Sequence, residues 1–180
     1  MQTQTLNSTA KYLSTTVSGQ LLAIPVGQVK EIVEAGAVVR LPLMPSCILG
    51  SFNLRGNGVP VVDLSQRLAL GQAAASERSC IVIVDSPGKR HSARDVGLLV
   101  DEVNEVFDLL PEQIEEAPSF DGDIPVDYMH GIGKNDGQFV VLLNITRLLD
   151  MADLAEPGHH HPDLSLETVN AAAAGEVQNG

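Results

Sequence analysis

The strongest structural signal in the chain is the run Asn53-Leu-Arg-Gly-Asn-Gly-Val-Pro-Val-Val-Asp-Leu64. Its first part is a glycine-rich turn, and the turn leads into the apolar strand Val59–Val62. Asp63 ends the strand, and its carboxylate is suited to accept the first unpaired N–H groups of a helix. The run therefore predicts a turn, a buried strand and a helix cap in immediate succession.

Arg55 stands alone at this turn. A guanidinium donates up to five hydrogen bonds in a planar fork, and Gly56 and Gly58 allow a partner backbone to come close. This arrangement indicates a recognition surface. An equally open alternative is an ion pair with Glu31 or Glu34 across the first half of the fold, since paired surface arginines are common.

The same order of elements occurs twice in the chain. Each copy has two strands in a hairpin, a Val-x-Glu-apolar segment, glycines, and an apolar strand that ends at a helix cap. The hairpin strands are Tyr12–Val17 with Leu21–Ile24 in the first copy, and Cys80–Val84 with Val96–Leu99 in the second. Gly50 and Gly56 precede Asp63 by the same intervals at which Gly131 and Gly137 precede Asn144. This spacing predicts two similar β units.

The composition favours a mainly β fold. The chain has 44% hydrophobic but only 3% aromatic residues, and it lacks tryptophan. Short strands at turn-rich intervals are typical of closed barrels. We predict a flexible N-terminus at 1–11 and a folded region at 12–150, made of two intertwined β-barrel subdomains at roughly 12–78 and 79–150. An acidic, disordered tail at 151–180 should follow.

Two short helical segments are predicted within the folded region. Pro111 can take the first position of a helical turn within Leu109–Ile114. After Asn144, Ile145, Leu148, Leu149 and Ala152 recur at helical spacing, which predicts one short helix at the C-terminal end of the fold.

Charge is distributed unevenly. Residues 1–94 contain nine Lys or Arg and five acids, whereas residues 95–180 contain two and eighteen. No clustered basic face is evident, so nucleic-acid binding is not expected. The chain also lacks an apolar run long enough to span a bilayer and a signal pattern at its start, which predicts a cytoplasmic protein. Cys47 and Cys80 are interpreted as buried, reduced thiols.

No pattern in the sequence predicts catalysis, a metal or a cofactor. His159, His160 and His161 are adjacent in the tail, where they lack the supporting ligands of a metal site. Neither His91 nor His130 accompanies a nucleophile at a strand-to-helix elbow. We therefore predict a protein that is not an enzyme and needs no cofactor.

The Asn53–Gly56 turn and the Val59–Leu64 strand resemble those of the CheW-like family, adaptors that couple chemoreceptors to the histidine kinase of bacterial chemotaxis. The resemblance extends from about Tyr12 to Leu149. It implies an all-β fold of two SH3-like five-stranded barrels packed face to face. It also implies a non-catalytic adaptor recruited to membrane-bound receptor arrays.

The resemblance implies two docking surfaces. The receptor's cytoplasmic tip would dock on the first barrel, at Val29, Glu31, Gly50, Asn53, Arg55 and Gly56. The kinase's regulatory domain would dock on the second barrel, at Val103, Val106, Gly131 and Ile132. For Val29, and for the four kinase positions, core packing is the alternative; for Gly50 it is a strand bulge.

The resemblance also implies a ring contact. In the family, a phenylalanine that follows a Pro-Glu-Gln-Ile turn makes this contact beside a basic and an acidic residue. Here the turn is Pro111–Ile114 and the phenylalanine is Phe120, but Glu115 and Ser119 replace the usual charges.

An adaptor of the same fold for a non-flagellar array, which would control surface motility or a second messenger, is an alternative function. A ligand- or peptide-binding barrel is an alternative of a different class.

Overall fold

The computed structural model describes residues 8–71, 76–86, 94–118 and 124–150. Its secondary structure consists mainly of strands. They are β1 Ala10–Val17, β2 Gln20–Pro25, β3 Val29–Glu34, β4 Val38–Val39, β5 Ile48–Leu54, β6 Asn57–Asp63, β7 Cys80–Ser86, β8 Arg94–Val100, β9 Glu102–Leu109, β10 Ile114–Glu115, β11 Met129–Asn135 and β12 Gln138–Leu143. The helices are α1 Leu64–Arg67 and α2 Ile145–Leu148, with 3-10 turns at Val26–Gln28, Pro111–Gln113 and Val126–Tyr128.

The strands form two six-stranded sheets. The first barrel has the order β4-β5-β6-β8-β7-β3, and the second has the order β10-β11-β12-β2-β1-β9. The two orders become identical when β1–β6 are matched to β7–β12. The predicted duplication, hairpins and two-barrel β fold are therefore confirmed. Each sheet has six strands where five were expected, and one of the six is a strand of only two residues, β4 or β10.

Each barrel takes its first hairpin from the other repeat. β8 pairs in parallel with β6, where Val61 lies opposite Gly97, and β2 pairs in parallel with β12, where Val141 lies opposite Leu22. The predicted boundary at 78/79 therefore divides the two repeats of the sequence but does not divide the two sheets. The exchange of hairpins links the two repeats through backbone hydrogen bonds within each sheet.

The apolar strands are buried on both faces. One face lines the interior of the strand's own barrel, and the other packs against the opposite barrel. Val59 and Val61 belong to a cluster inside the first barrel, together with Ile81 and Ile83. Val62 points the other way, into the largest cluster, which contains residues of both sheets. A third cluster inside the second barrel includes Tyr12 and Phe107, whose rings stack with centroids 6.0 Å apart.

The start of the fold lies slightly earlier than predicted. β1 begins at Ala10, inside the segment 1–11 that was expected to be flexible. Ala10 pairs with Leu109, and Lys11 donates a hydrogen bond of 2.8 Å to Asp108. Pairing with β9 is sufficient reason for these residues to be ordered. The tail 151–180 lies outside the described residues, as do the three tail histidines and Ala152.

Both helices begin at the predicted caps. The buried Asp63 carboxylate accepts hydrogen bonds from the Ser65 backbone N–H at 2.9 Å and from the Ser65 hydroxyl at 2.6 Å. Asn144 accepts from the Arg147 N–H at 3.2 Å. The two caps also receive the same backbone contact, because the Asp63 N–H donates to the Cys47 carbonyl and the Asn144 N–H donates to the Tyr128 carbonyl, each at 2.8 Å.

The caps provide a stability prediction. Asp63→Ala should lower the free energy of unfolding by about 2 kcal/mol, the upper end for a cap, because its carboxylate is buried with several donors. Asn144→Ala should cost about 0.5–1 kcal/mol, because its side chain satisfies a single donor. Urea unfolding of both variants measures the difference. Equal losses would contradict this ranking.

Candidate docking site

An ion pair between Arg55 and Glu31 links the β5–β6 turn of the first barrel to β3. The two Arg55 terminal nitrogens donate to the two Glu31 carboxylate oxygens at 2.8 and 3.0 Å. Glu31 lies on β3 at one edge of the sheet, and Arg55 lies in the β5–β6 turn near the other edge. The sequence left open whether Glu31 or Glu34 would pair with Arg55, and the structure selects Glu31.

The turn that carries Arg55 has an unusual backbone. Arg55 and Gly56 are the central residues between Leu54 and Asn57, with φ values of 52° and 88°. Positive φ at both positions is the requirement of a type I′ turn, which favours Asn-Gly or Asp-Gly over an arginine. Asn53 supports the turn by accepting the Gly56 N–H at 2.8 Å. The turn projects Arg55 from the end of the hairpin.

The ion pair orients Arg55 without burying it. The side chain of Arg55 is 74% exposed, compared with 28% for Glu31. Exposed pairs contribute about 0–1 kcal/mol to stability. A bidentate contact nevertheless fixes the plane of the guanidinium, and its outer face remains accessible. Glu31, Asn53, Arg55 and Gly56 therefore form one connected surface, which we call the Arg55 turn.

The other two receptor-binding candidates have structural explanations. Val29 is half-buried and packs against the cluster between the sheets. Gly50 is buried at a β-bulge with φ +151°, and a Cβ there would lie 2.0 Å from the Val39 carbonyl oxygen. Both alternatives offered by the sequence, a core valine and a strand bulge, match these environments. Contact with a partner remains a prediction.

The four kinase-binding candidates fall into two environments. Val103 packs against the cluster between the sheets, and Gly131 is buried at a bulge with φ +156°, where a Cβ would lie 2.5 Å from the Glu115 carbonyl oxygen. Ile132 is half-buried, whereas Val106 is 56% exposed. Val106 is therefore the member most available to a partner. Phe120 and Ser119 lie outside the described residues.

A contact that the sequence did not predict links β9 to the end of β11 in the second barrel. Glu105 accepts a hydrogen bond of 3.1 Å from the Asn135 amide. Glu105 is the counterpart of Glu31 in the repeated Val-x-Glu segment, and Asn135 immediately precedes the matching turn, Asp136–Gly137. The repeated Val-x-Glu segment and the matching turn could therefore have predicted the Glu105–Asn135 contact. Asp136 stands where the first repeat has Arg55, so the two barrels present opposite charges at equivalent turns.

Two findings bear on membrane spans and metals. No helix in the described ranges has the length and apolar character needed to cross a membrane. The described part of the chain also contains no group of three or more His, Cys, Asp or Glu side chains that could hold a metal ion.

Both cysteines are free thiols and are half-buried rather than fully buried. Burial raises the pKa of Cys47, and the charge of Arg67 partly opposes this effect. Burial also raises the pKa of Cys80, and the nearby carboxylates of Glu34 and Glu102 raise it further. At neutral pH both side chains are therefore thiols rather than thiolates.

These shifts predict slow alkylation. Because the thiolate is the nucleophile, both cysteines should react with iodoacetamide several-fold more slowly in the folded chain than in urea at pH 7.5. Glu34→Gln removes a negative charge near Cys80 and should accelerate labelling of Cys80 alone. Peptide mapping after timed quenching separates the two sites. An equal acceleration at Cys47 would indicate local unfolding instead.

The fold is built from two β barrels that exchange hairpins, and the Arg55 turn is its candidate docking surface. The chain belongs to the CheW-like domain family, whose model matches residues 11–153. This family consists of scaffold or adaptor proteins, as the resemblance of the Asn53–Gly56 turn had indicated.

Similar proteins cover most of the chain. The chain is 32% identical over 145 residues to the chemotaxis protein CheW of Klebsiella aerogenes, covering 81% of this chain and 84% of that protein. It is 29% identical over 138 residues to protein FrzA of Myxococcus xanthus, covering 73% and 79%. A crystal structure of the scaffolding protein TtCheW from Thermoanaerobacter tengcongensis superposes with a TM-score of 0.71 at 28% identity, covering 82% and 92%.

Proposed function

We propose that this protein is a non-catalytic cytoplasmic adaptor that couples the cytoplasmic tip of a methyl-accepting chemoreceptor to the regulatory domain of a chemotaxis histidine kinase. Family membership supports the adaptor role. The observation that carries the receptor site is the Arg55 turn, where a bidentate contact holds an exposed guanidinium at the end of a hairpin. Such a guanidinium can anchor a partner helix by donating hydrogen bonds to carboxylates or backbone carbonyls of that helix.

The surroundings of Arg55 suit a helical partner. Glu31 and Asn53 provide polar anchors beside it. Ile32, 43% exposed, follows Glu31 on β3 and faces the other side of the strand, so β3 also offers an apolar side chain next to the site. A helix that docks on a surface needs apolar contact flanked by polar anchors. The protein would hold receptor and kinase on one rigid body, which raises the effective concentration of each for the other.

The kinase site is proposed on the second barrel around Val106, the exposed member of Val103, Val106, Gly131 and Ile132. The two sites then lie on different barrels, each of which contains strands of both repeats. This separation allows both partners to bind at once. A ligand-binding barrel is a weaker rival because packed side chains fill the described interiors of both barrels.

Arg55→Glu tests the receptor site. The variant should bind a receptor cytoplasmic fragment at least tenfold more weakly, because it places a carboxylate beside Glu31, and it should retain binding to the kinase regulatory domain. Lys11→Glu is the matched control, since it breaks a comparably exposed ion pair, with Asp108, on the second barrel. Both variants should unfold within about 1 kcal/mol of wild type.

Two outcomes would contradict the proposal. If Lys11→Glu weakens receptor binding as much as Arg55→Glu does, the effect is due to net charge and not to the site. If the wild-type chain binds neither fragment, coupling in a chemotaxis array is excluded, and partners from another signalling array become the next candidates.

A further inference from the structure

The loop between β4 and β5 presents an unusual group of exposed apolar side chains. Leu43 is fully exposed, Val39 is 67% exposed, and Leu41 and Met44 are each about 40% exposed. We call residues 39–45 the apolar knob. Single exposed apolar residues are ordinary, but four within six positions form a patch of the kind that marks an interaction site.

The backbone of the knob is held in an unfavourable shape. Leu43 has φ +60°, a conformation that a leucine rarely adopts. Pro42 precedes it, and the Pro45 carbonyl accepts the Ile48 N–H at 2.9 Å. The two prolines restrict the loop and keep Leu43 projecting outward. A strained residue with no burial of its own suggests a surface shaped for contact.

Charge at the knob indicates what kind of segment would bind there. Arg40 is exposed within it and makes no ion pair with any residue that the structure describes. By contrast Lys11, Lys30 and Arg55 are each paired with a carboxylate. The knob therefore suits an apolar segment that carries its own acid.

Residues 163–169, near the end of the chain, form such a segment. Residues 151–180 include five acids and no Lys or Arg. Within them, Asp163-Leu-Ser-Leu-Glu-Thr-Val169 places Leu164, Leu166 and Val169 beside two carboxylates. We propose that residues 163–169 of the same chain cover the apolar knob, with Leu164 and Leu166 against Leu43 and Met44 and with a carboxylate paired to Arg40.

The path of the chain makes this contact accessible. The described fold ends at Asp150, close to Leu148, whose carbonyl accepts the Arg67 Nε–H at 2.8 Å. Arg67 belongs to α1, and the α1 cap, Asp63, donates its N–H to Cys47 at the end of the loop that contains the knob. A short series of contacts thus connects the exit point to this loop. The intervening residues 151–162 can span roughly 40 Å when extended.

A tethered segment gains from its high effective concentration, so a weak apolar contact can be occupied most of the time and still exchange. The knob also adjoins Gly50, since a Cβ on Gly50 would lie 2.9 Å from the Cα of Arg40. A partner that needs the knob would have to displace residues 163–169. The contact would make the tail a competitor for that surface.

The test uses the full chain with one reporter. Because the protein contains no tryptophan, Leu43→Trp introduces a single one at the knob. Quenching of its fluorescence by iodide and acrylamide is measured in three proteins. The first carries Leu43→Trp alone, the second adds Leu164→Ser and Leu166→Ser, and the third adds Val177→Ser as a matched tail control. A dilution series accompanies each variant, and circular dichroism checks the fold.

Quenching of the introduced tryptophan should be at least threefold weaker with the native tail than with the tail that carries Leu164→Ser and Leu166→Ser. This difference should hold at every protein concentration. The Val177→Ser control should behave like the parent. Full exposure of the tryptophan with the native tail would overturn the proposal. Shielding that disappears on dilution would also overturn it, because a second copy would then cover the knob. The same holds for shielding that persists after Leu164 and Leu166 are changed.

Discussion

Gly50→Ala should destabilise the fold by about 3–5 kcal/mol, the largest loss expected from any single methyl group in the first barrel. Two costs combine at this position. The residue has φ +151°, where side chains are rarely accommodated, and an added Cβ would lie 2.0 Å from the Val39 carbonyl oxygen and 2.9 Å from the Arg40 Cα. Both contacts are with backbone, so no rotamer change relieves them.

Two other glycines isolate the steric part of this loss. Gly56 has φ +88° with no atom within 4 Å of an added Cβ, so Gly56→Ala should cost about 1 kcal/mol from backbone strain alone. Gly27 has neither strain nor a neighbour at that distance, so Gly27→Ala should be nearly neutral. Urea unfolding of the three variants gives the comparison. A Gly50→Ala loss no larger than that of Gly56→Ala would show that β4 moves aside easily.

This prediction also affects how the receptor site is mapped. Gly50 is one of the positions that the family resemblance assigns to receptor contact, yet its backbone environment explains a glycine without any partner. Loss of binding in Gly50→Ala would therefore report a displaced β4 as readily as a lost contact. Arg55 is the better position for testing recognition, because its side chain is mostly exposed and its removal costs little stability.

The sequence predicted the order and type of the elements well because the local signals agree with one another. Alternating apolar strands, the caps Asp63 and Asn144 and the paired glycines Gly50 and Gly131 all have the structural roles that their residue types favour. The two barrels were predicted to be intertwined, but the sequence did not reveal that the first hairpin of each repeat is the exchanged element. Parallel pairs such as β6–β8 join residues far apart in the chain, and both partner strands are simply apolar.

The candidate site was predictable to a smaller extent. The sequence offered two partners for Arg55, Glu31 and Glu34, because either glutamate of β3 could lie near the turn. The register of β3 against β7 depends on the β-bulge between Val29 and Glu31, which the sequence did not predict. The Glu105–Asn135 contact was missed because the second turn lacks an arginine. The apolar knob was missed because Leu and Met between prolines also occur in buried segments. Exposure is a tertiary property that no local pattern encodes.

Exchanging the charges of Arg55 and Glu31 should separate recognition from architecture. In the double variant Glu31→Arg with Arg55→Glu, the ion pair can re-form with reversed polarity, because the two groups face each other in bidentate contact. Stability should return to within about 1 kcal/mol of wild type. Receptor binding should remain at least tenfold weaker, because the exposed member of the pair, at position 55, is now a carboxylate.

The single variants complete the cycle. Glu31→Arg places two guanidinium groups together and should lower stability while leaving Arg55 exposed, so it should weaken receptor binding less than Arg55→Glu does. Calorimetric titration with the receptor fragment, alongside urea unfolding, measures both energies for all four proteins. If the double variant regains wild-type affinity, the pair serves only to link β3 to the β5–β6 turn. The receptor must then be recognised elsewhere on the first barrel. Continued loss with restored stability means that a partner reads the cation itself, since the ion pair is present in both proteins.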